Sequence, residues 1–191
     1  EHPTVPRALS GLGDAYLSVD KIDSALGAYR RGLSLQDVEE AWELTFLKGV
    51  ADALIRAGDL DAAAQEIQQY ESKRSTPEWQ SRVNQILAKV FEAKGNLPRK
   101  HYHLEIALDA KPGDASLRFS LAHSYSNSDE RPLAIYHYAI LAKQRADAAE
   151  LNNLAVAMDA IELPVHAAQY YRSAIAKGNS LAASNLAKTM I

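Results

Sequence analysis

Apolar and small residues recur along the chain at the spacing of helices that pack against one another. Leu12-Gly13-x-x-Tyr16 is a large residue, a small residue and, one turn later, a second large residue. The same order returns at Val50-Ala51-x-x-Leu54, Leu87-Ala88-x-x-Phe91, Leu121-Ala122-x-x-Tyr125 and Leu154-Ala155-x-x-Met158. Apolar residues at this spacing give each helix an inward stripe, and the small residue lets two backbones approach closely.

The pattern predicts that the chain is helical throughout and that its helices come in pairs. Pro98, Pro132 and Pro164 mark helix starts, because the first helical residue has no intrahelical use for its N–H. The predicted pairs are 7–18 with 22–35, 39–57 with 60–73, 78–94 with 98–110, 115–127 with 131–144, and 147–160 with 164–177. A final helix is predicted at 180–191.

The second helix of each pair carries its own recurring residues. Its small residue is Ala25, Ala63, Ala134 or Ala167, and only Lys100 breaks that rule. The turn between the two helices has glycine in repeats two and three, at Gly58 and Gly95. The equivalent turn residues in repeats one, four and five are Asp20, Asp129 and Glu162.

This arrangement resembles the tetratricopeptide repeat (TPR) family, whose period is roughly 34 residues. The resemblance implies an all-α fold, a right-handed superhelical solenoid of antiparallel helix pairs with about five repeats and a final helix. We expect residues 1–191 to form a single array with repeats starting near 6, 44, 81, 115 and 148. Because the chain begins at Glu1 rather than Met, and no second helix follows 180–191, we expect it to be part of a longer protein.

Composition and charge narrow the classes of partner. Apolar residues make up 47% and charged residues 24%, as in a folded globular protein. The net charge is -3 and basic residues are scattered, so we expect no nucleic acid partner. No apolar run is long enough to cross a membrane, and membrane insertion is not expected. The lack of cysteine excludes disulfides and zinc–thiolate sites and leaves the compartment open.

The family resemblance also implies where a ligand binds. In the family the first helices line a concave wall that is the usual groove for a protein or peptide. The residues at wall positions that we take as peptide-binding candidates are Arg7, Asp14, Lys48, Asp52, Arg56, Arg82, Gln85, Lys89, Phe119, His123, Asn127 and Asn152.

The best-defined ligand site of the family, a clamp for a peptide carboxylate, does not match here. Ser10, Asp14 and Gly49 stand at three of its positions in place of Lys and Asn residues. A shifted cluster of cations consists of Lys48, Arg56, Arg82 and Lys89. These cations either attract an acidic segment or form a solvated wall of ion pairs.

Three other groups have both a binding and a structural interpretation. Asn152, with Asn153, either bonds the backbone of an extended peptide or satisfies a neighbouring turn. Phe119 and His123 present an aromatic anchor or are partly buried against the next repeat. Trp42 and Trp79 occupy equivalent places between repeats, which favours packing over binding.

The chain has no motif that predicts catalysis or a bound cofactor. A phosphate loop, a nucleophile elbow and a zinc signature are all missing from the sequence. The closest histidines, His101 and His103, are two residues apart, whereas a helical metal pair needs a spacing of three or four. We therefore predict no enzyme activity, no metal and no cofactor in this chain.

Our function hypothesis is a non-catalytic scaffold that binds a peptide or protein segment in the concave groove. An alternative is a regulatory or sensor array of a larger signalling or effector enzyme whose catalytic domain lies outside this chain. A third is self-association through the C-terminal helix, because Leu181, Met190 and Ile191 give it an apolar surface.

Overall fold

The computed structural model describes residues 4–145 and 147–190, and these form an all-α fold. Its helices are α1 Thr4–Ser18, α2 Ile22–Leu33, α3 Glu40–Ala57, α4 Leu60–Gln68, α5 Pro77–Ala93, α6 Leu97–Ala110, α7 Ala115–Ser126, α8 Arg131–Gln144, α9 Ala148–Asp159, α10 Pro164–Ala176 and α11 Ser180–Thr189. The predicted helices are therefore confirmed, and α4 alone ends well short of its predicted end at 73. Ile191 lies outside the described residues.

Contacts between helices follow the predicted pairing. Within pairs, α1 packs on α2, α3 on α4, α5 on α6, α7 on α8, and α9 on α10. The first helix α3 also contacts α1 and α5, and α9 contacts α11. None of these helices is long and apolar enough to span a membrane, among the residues that the structure describes.

The packing divides the chain into two compact units. Unit 1 ends at Lys111 and contains α1–α6, and unit 2 begins at Pro112 and contains α7–α11. The unit 1 core includes large aromatic residues, among them Trp79 and Phe46. Around α9–α11 in unit 2, one cluster of buried apolar residues is mostly small: Leu151, Ala155, Ala167, Tyr171, Ala174 and Ala182. Leu154 and Ala157 of α9 are buried as well.

The turn inside each pair has the same backbone conformation whatever its residue. Gly58 and Gly95 have φ values of 79° and 67°. The three residues that replace glycine, Asp20, Asp129 and Glu162, have φ values of 62°, 60° and 62°. The repeats that depart from the glycine pattern thus keep its left-handed turn, at a steric cost that glycine avoids.

The small residues of the first helices make room for an aromatic ring. A Cβ atom added to Gly13 would lie 2.3 Å from Cε1 of Tyr29, and one added to Gly49 would lie 2.5 Å from it. The buried Tyr29 of α2 thus packs directly on the backbones of α1 and α3. Its hydroxyl donates a hydrogen bond to Asp14 Oδ1 at 2.7 Å.

The segment between α4 and α5 is fixed by contacts with both flanking repeats. Lys73 and Arg74 form ion pairs with the buried carboxylate of Glu43 at 2.8 and 2.7 Å. The indole N–H of Trp79 donates to the Tyr70 carbonyl at 2.9 Å. Trp79 is fully buried, and Trp42 is half-buried beside Phe46 at 6.3 Å between ring centroids. The packing interpretation is confirmed for Trp79, and Trp42 packs partly against the same core.

Candidate functional site

A groove with a volume of about 600 Å³ lies between α3 and α5 in unit 1. Its lining comes from one stripe of each helix, at spacings of three and four residues. The lining residues are Glu40, Ala41, Leu44, Thr45, Lys48, Glu78, Arg82, Gln85, Ile86 and Lys89. It therefore brings together four sequence candidates, Lys48, Arg82, Gln85 and Lys89.

The two helices run in the same direction along the groove. At their N-terminal ends, the hydroxyl of Thr76 donates to the Glu40 carboxylate at 2.8 Å. Toward their C-terminal ends, Lys89 of α5 donates to Asp52 of α3 at 2.6 Å. From Glu78 to Lys89 the helical rise corresponds to about 16 Å, enough for about five residues of extended peptide.

The groove is apolar in the middle and charged at both ends. Ala41, Leu44 and Ile86 supply its apolar surface. At the end nearer the helix N-termini, the Glu78 carboxylate accepts from Arg82 at 2.9 Å and also from Lys111. Hydrogen bonds from Lys111 and then Arg82 hold the pKa of Glu78 below its usual value.

At the other end, two lysines share one carboxylate. Lys48 Nζ lies 2.8 Å from Oδ2 of Asp52, and Lys89 Nζ lies 2.6 Å from Oδ1. Partial burial raises the pKa of Asp52, but hydrogen bonds from the two lysines outweigh it and the pKa is lowered. This end carries two positive charges and one negative charge, and both lysines reach solvent.

Arg56 does not join the predicted cation cluster. Its Nε lies 2.8 Å from Asp20 Oδ1, and its Nη1 donates to the Leu17 carbonyl at 2.9 Å. Leu17 lies at the end of α1 and Asp20 in the turn after it. The long side chain of Arg56 therefore extends back toward repeat one. Arg56 therefore ties two repeats together and lies outside the groove that contains Lys48, Arg82 and Lys89. Its role in peptide binding stays a prediction.

Asn152 is buried in a contact between two helices. It is only 4% exposed, and its Oδ1 accepts from Asn185 of α11 at 3.1 Å. Asn179 donates to the Ala148 carbonyl at 3.2 Å, and Thr189 donates to Asp159 at 2.8 Å. The amide of Asn152 therefore belongs to the polar contact of α11 with α9, which corrects its place among the binding candidates.

The remaining candidates lie in two other places. Arg7 and Asp14 are exposed on α1, where Asp14 is bonded to Tyr29. In unit 2, Phe119 is half-buried, with its ring 5.8 Å from Tyr138 and 6.4 Å from His123.

A hollow of about 320 Å³ between α7 and α9 includes Phe119 in its lining. His123 is exposed and lies 3.2 Å from the amide of Asn127. The peptide-binding roles of all these candidates stay predictions.

The histidines predicted to form no metal site are used in packing. His103 stacks on Phe91 with 5.2 Å between ring centroids, and its Nδ1 lies 2.8 Å from Asn84 Oδ1. His137 stacks in the same way on Tyr125, at 5.8 Å. Within the described residues, no group of three or more metal-ligating side chains is close enough to hold an ion.

The apolar middle of the groove is not among the sites predicted from the sequence. The sequence candidates in this groove are all polar, whereas Leu44 and Ile86 have the pattern of core residues of their helices. The available signal was spacing: Leu44 is four residues before Lys48, and Ile86 is three before Lys89, so each shares a helix face with a lysine.

Solved structures with similar folds cover nearly the whole chain. The crystal structure of MamA matches with a TM-score of 0.65 and 16% identity, over 92% of this chain and 93% of MamA. YrrB, described as a TPR protein with an unusual peptide-binding site, has a TM-score of 0.64 and 16% identity, over 94% and 90%. TTC0263, a thermophilic TPR protein of Thermus thermophilus, has a TM-score of 0.53 and 17% identity, over 97% and 98%.

The chain has the tetratricopeptide-repeat fold. No protein-family model matches the sequence, and no curated protein matches it. The TPR assignment therefore rests on the helix pairs, their recurring residues and the similar structures.

The C-terminal helix of this TPR chain, with the residue that follows it, exposes apolar side chains to solvent. Leu181 and Met190 are 61% and 69% exposed. Self-association through this helix stays a prediction.

Proposed function

We propose that this TPR chain is a non-catalytic interaction module that binds an extended peptide segment between α3 and α5. The segment carries an apolar side chain and, two residues further along, an acidic one. The observation that carries the proposal is the apolar middle of the groove beside a pair of exposed lysines.

The spacing of the ligand follows from the two helices. Leu44 and Lys48 are separated by about 6 Å of helical rise, and Ile86 and Lys89 by about 4.5 Å. In an extended peptide, side chains two residues apart lie on the same face at about 6.6 Å. A leucine on the apolar surface thus places an acidic side chain two positions away beside the lysines.

The charge of the groove favours an acidic partner at one end. Two lysines with one carboxylate leave an unbalanced positive charge near Lys48 and Lys89. Exposed ion pairs contribute little to stability, so a ligand carboxylate can replace one at low cost. Recognition of a peptide by YrrB, a protein with a similar fold, is consistent with a binding role for such an array.

The test is fluorescence anisotropy with a labelled synthetic peptide of about eight residues. Its centre is leucine, serine and aspartate, and its flanks are glycine and serine. We expect saturable binding that falls at least about tenfold in the double variant Lys48→Glu, Lys89→Glu, because both cations at the acidic end are reversed.

The matched control is Arg30→Glu with Lys94→Glu. It makes the same change in net charge within unit 1, at cations that pair with Glu66 and Asp61 outside the groove. Two further peptides replace the aspartate by asparagine and the leucine by serine, and both should bind more weakly. Equal binding to both double variants, or to all three peptides, would exclude this groove as the site.

A further inference from the structure

We propose that Asp52 is a built-in competitor for the acidic side chain of the ligand, occupying the two groove lysines until a peptide carboxylate displaces it. This inference rests on the proposed function of the groove between α3 and α5. It assigns Asp52 a role opposite to ligand contact, because a carboxylate beside the lysines repels an acidic peptide.

The geometry of Asp52 is that of a bound carboxylate. Each of its oxygens faces a different lysine, Oδ2 toward Lys48 and Oδ1 toward Lys89. The two lysines belong to different helices, so the contact joins the two walls of the groove. A peptide carboxylate with its two oxygens can make the same pair of contacts.

The two lysines remain open to an incoming ligand, whereas Asp52 does not. The side chains of Lys48 and Lys89 are 65% and 52% exposed, and that of Asp52 is 20% exposed. Lysine side chains are long and flexible, so their ammonium groups can turn toward a ligand in the groove while their stems stay in place. Asp52 then loses its partners but keeps its place on α3.

Competition of this kind sets the selectivity of the groove. A ligand gains only the difference between its own contacts with the lysines and those of Asp52. A ligand that offers a single neutral oxygen gains less from the lysines than a carboxylate does, so Asp52 competes with it more effectively. The groove therefore selects ligands that bring both a full carboxylate and an apolar side chain.

The first experiment compares the wild type with Asp52→Asn in the anisotropy assay, using the labelled peptide with central leucine, serine and aspartate. Removing the competitor should tighten binding by roughly three- to tenfold, the range expected for two exposed ion pairs. Asp52→Ser, which also removes the charge but has a different shape, should tighten binding similarly. Circular dichroism of each variant checks that the helices are retained.

The matched control is Asp61→Asn, which removes the same charge from unit 1 at a highly exposed carboxylate paired with Lys94. It reproduces any general effect of net charge on the attraction of an acidic peptide. The affinity of this variant should stay within about twofold of the wild type.

The salt dependence of binding gives an independent readout. In the wild type the peptide replaces existing ion pairs, whereas in Asp52→Asn it forms new ones. The dissociation constant of Asp52→Asn should therefore rise more steeply between low and high salt than that of the wild type or Asp61→Asn. A purely structural role for Asp52 gives the three proteins the same slope.

The outcomes separate the two proposals. Tighter binding and a steeper salt slope in Asp52→Asn and Asp52→Ser alone support the competitor role. If the wild type binds the peptide and the folded Asp52 variants bind it equally or more weakly, the competitor role is overturned and the groove proposal stands. If neither the wild type nor any variant binds the peptide, the groove proposal is overturned, and the competitor role with it.

Discussion

The residue at the turn inside each helix pair shows how the repeats tolerate a change of side chain. Asp20, Asp129 and Glu162 take the same positive φ as Gly58 and Gly95. A non-glycine residue there costs about 1–2 kcal/mol, partly offset because glycine loses more backbone freedom on folding. The turn thus keeps its conformation and gives up some stability.

Replacing Glu162 by glycine should stabilise the protein. The free energy of unfolding should rise by about 0.5–1 kcal/mol. Glycine relieves the left-handed strain, and the larger backbone entropy that it loses on folding offsets part of the gain. Urea denaturation followed by circular dichroism measures it as a higher midpoint. Gly58→Ala should shift the midpoint the other way, and a lower midpoint for Glu162→Gly would contradict the strain argument.

Two glycines of α1 should respond in opposite directions to the same substitution. Gly13→Ala places a Cβ against the buried Tyr29 ring and should destabilise by about 1–3 kcal/mol. Gly11→Ala meets nothing within 4 Å and should stabilise by up to about 1 kcal/mol through helix propensity. Thermal unfolding of both variants tests this, and equal effects would mean that the ring moves aside freely.

For single residues, the sequence predicts which positions lie at close helix contacts but not which side chains they contact. The large-small-x-x-large order identifies Gly13 as a close-approach position. It cannot show that Tyr29 of α2 fills that space, because the contact depends on how the helices pack. Similarly, the sequence groups Arg56 with the groove cations, although its long side chain reaches Asp20 in the preceding turn.

The sequence predicts the helices closely because their local signals agree. Side-chain caps at Asn96, Asp114 and Asn179 and prolines at helix starts coincide with the apolar stripes. The predicted end of α4 is five residues too late. There tertiary contacts replace the helix. The Tyr70 carbonyl accepts a hydrogen bond from the Trp79 indole, and Glu43 forms ion pairs with Lys73 and Arg74.

The sequence predicts only half of the groove, for a related reason. The cations stand out because charged residues on first helices are conspicuous in the sequence. Their pairing is tertiary: Lys89 meets Asp52 and Lys111 meets Glu78 across helix boundaries. Asn152 has the pattern of a polar wall residue, yet α11 buries it.

The helix pair α5–α6 should carry a histidine that resists protonation. Burial, and then the nearby charge of Arg99, lower the pKa of His103 from 6.5 to about 4. The stability gained from keeping the ring neutral is present above pH 6.5 and is lost as the pH falls through about 4.

NMR titration of the His103 ring protons should therefore give a midpoint near pH 4, with His103→Gln used for assignment. The free energy of unfolding of the wild type should fall more between pH 6.5 and pH 4 than that of His103→Gln. A midpoint near 6.5 would show that water reaches the ring.

At the scale of the whole molecule, the core of unit 1 and the cluster around α9–α11 differ in the size of their buried side chains. Unit 1 buries Trp79, Phe46 and Phe91, whereas the core around α9–α11 has Tyr171, Leu151 and Leu154 among alanines. Burial of apolar area is the main stabilising contribution, at about 25 cal/mol per Å². Each repeat of a solenoid adds its own share, so stability need not be uniform along the chain.

Hydrogen exchange should reveal this difference directly. Backbone amides in the middle of α9 and α10 should exchange faster than those in the middle of α3 and α5, because less apolar area is lost on local opening. Mass spectrometry of peptic fragments gives the rates. Equal protection in both regions would mean that the smaller core is offset by contacts other than apolar packing.

The segment between α4 and α5 also affects how readily trypsin cleaves the protein. It is the longest stretch between helices in the described chain, and it contains Lys73 and Arg74, the residue types that trypsin cleaves after. Trypsin must draw such a side chain into its own pocket and straighten the backbone around it. Here both side chains are engaged by Glu43, and Gln80 binds the carbonyls of Glu71 and Arg74. We therefore expect trypsin to cleave this segment more slowly than its length alone suggests, and to do so when these contacts open.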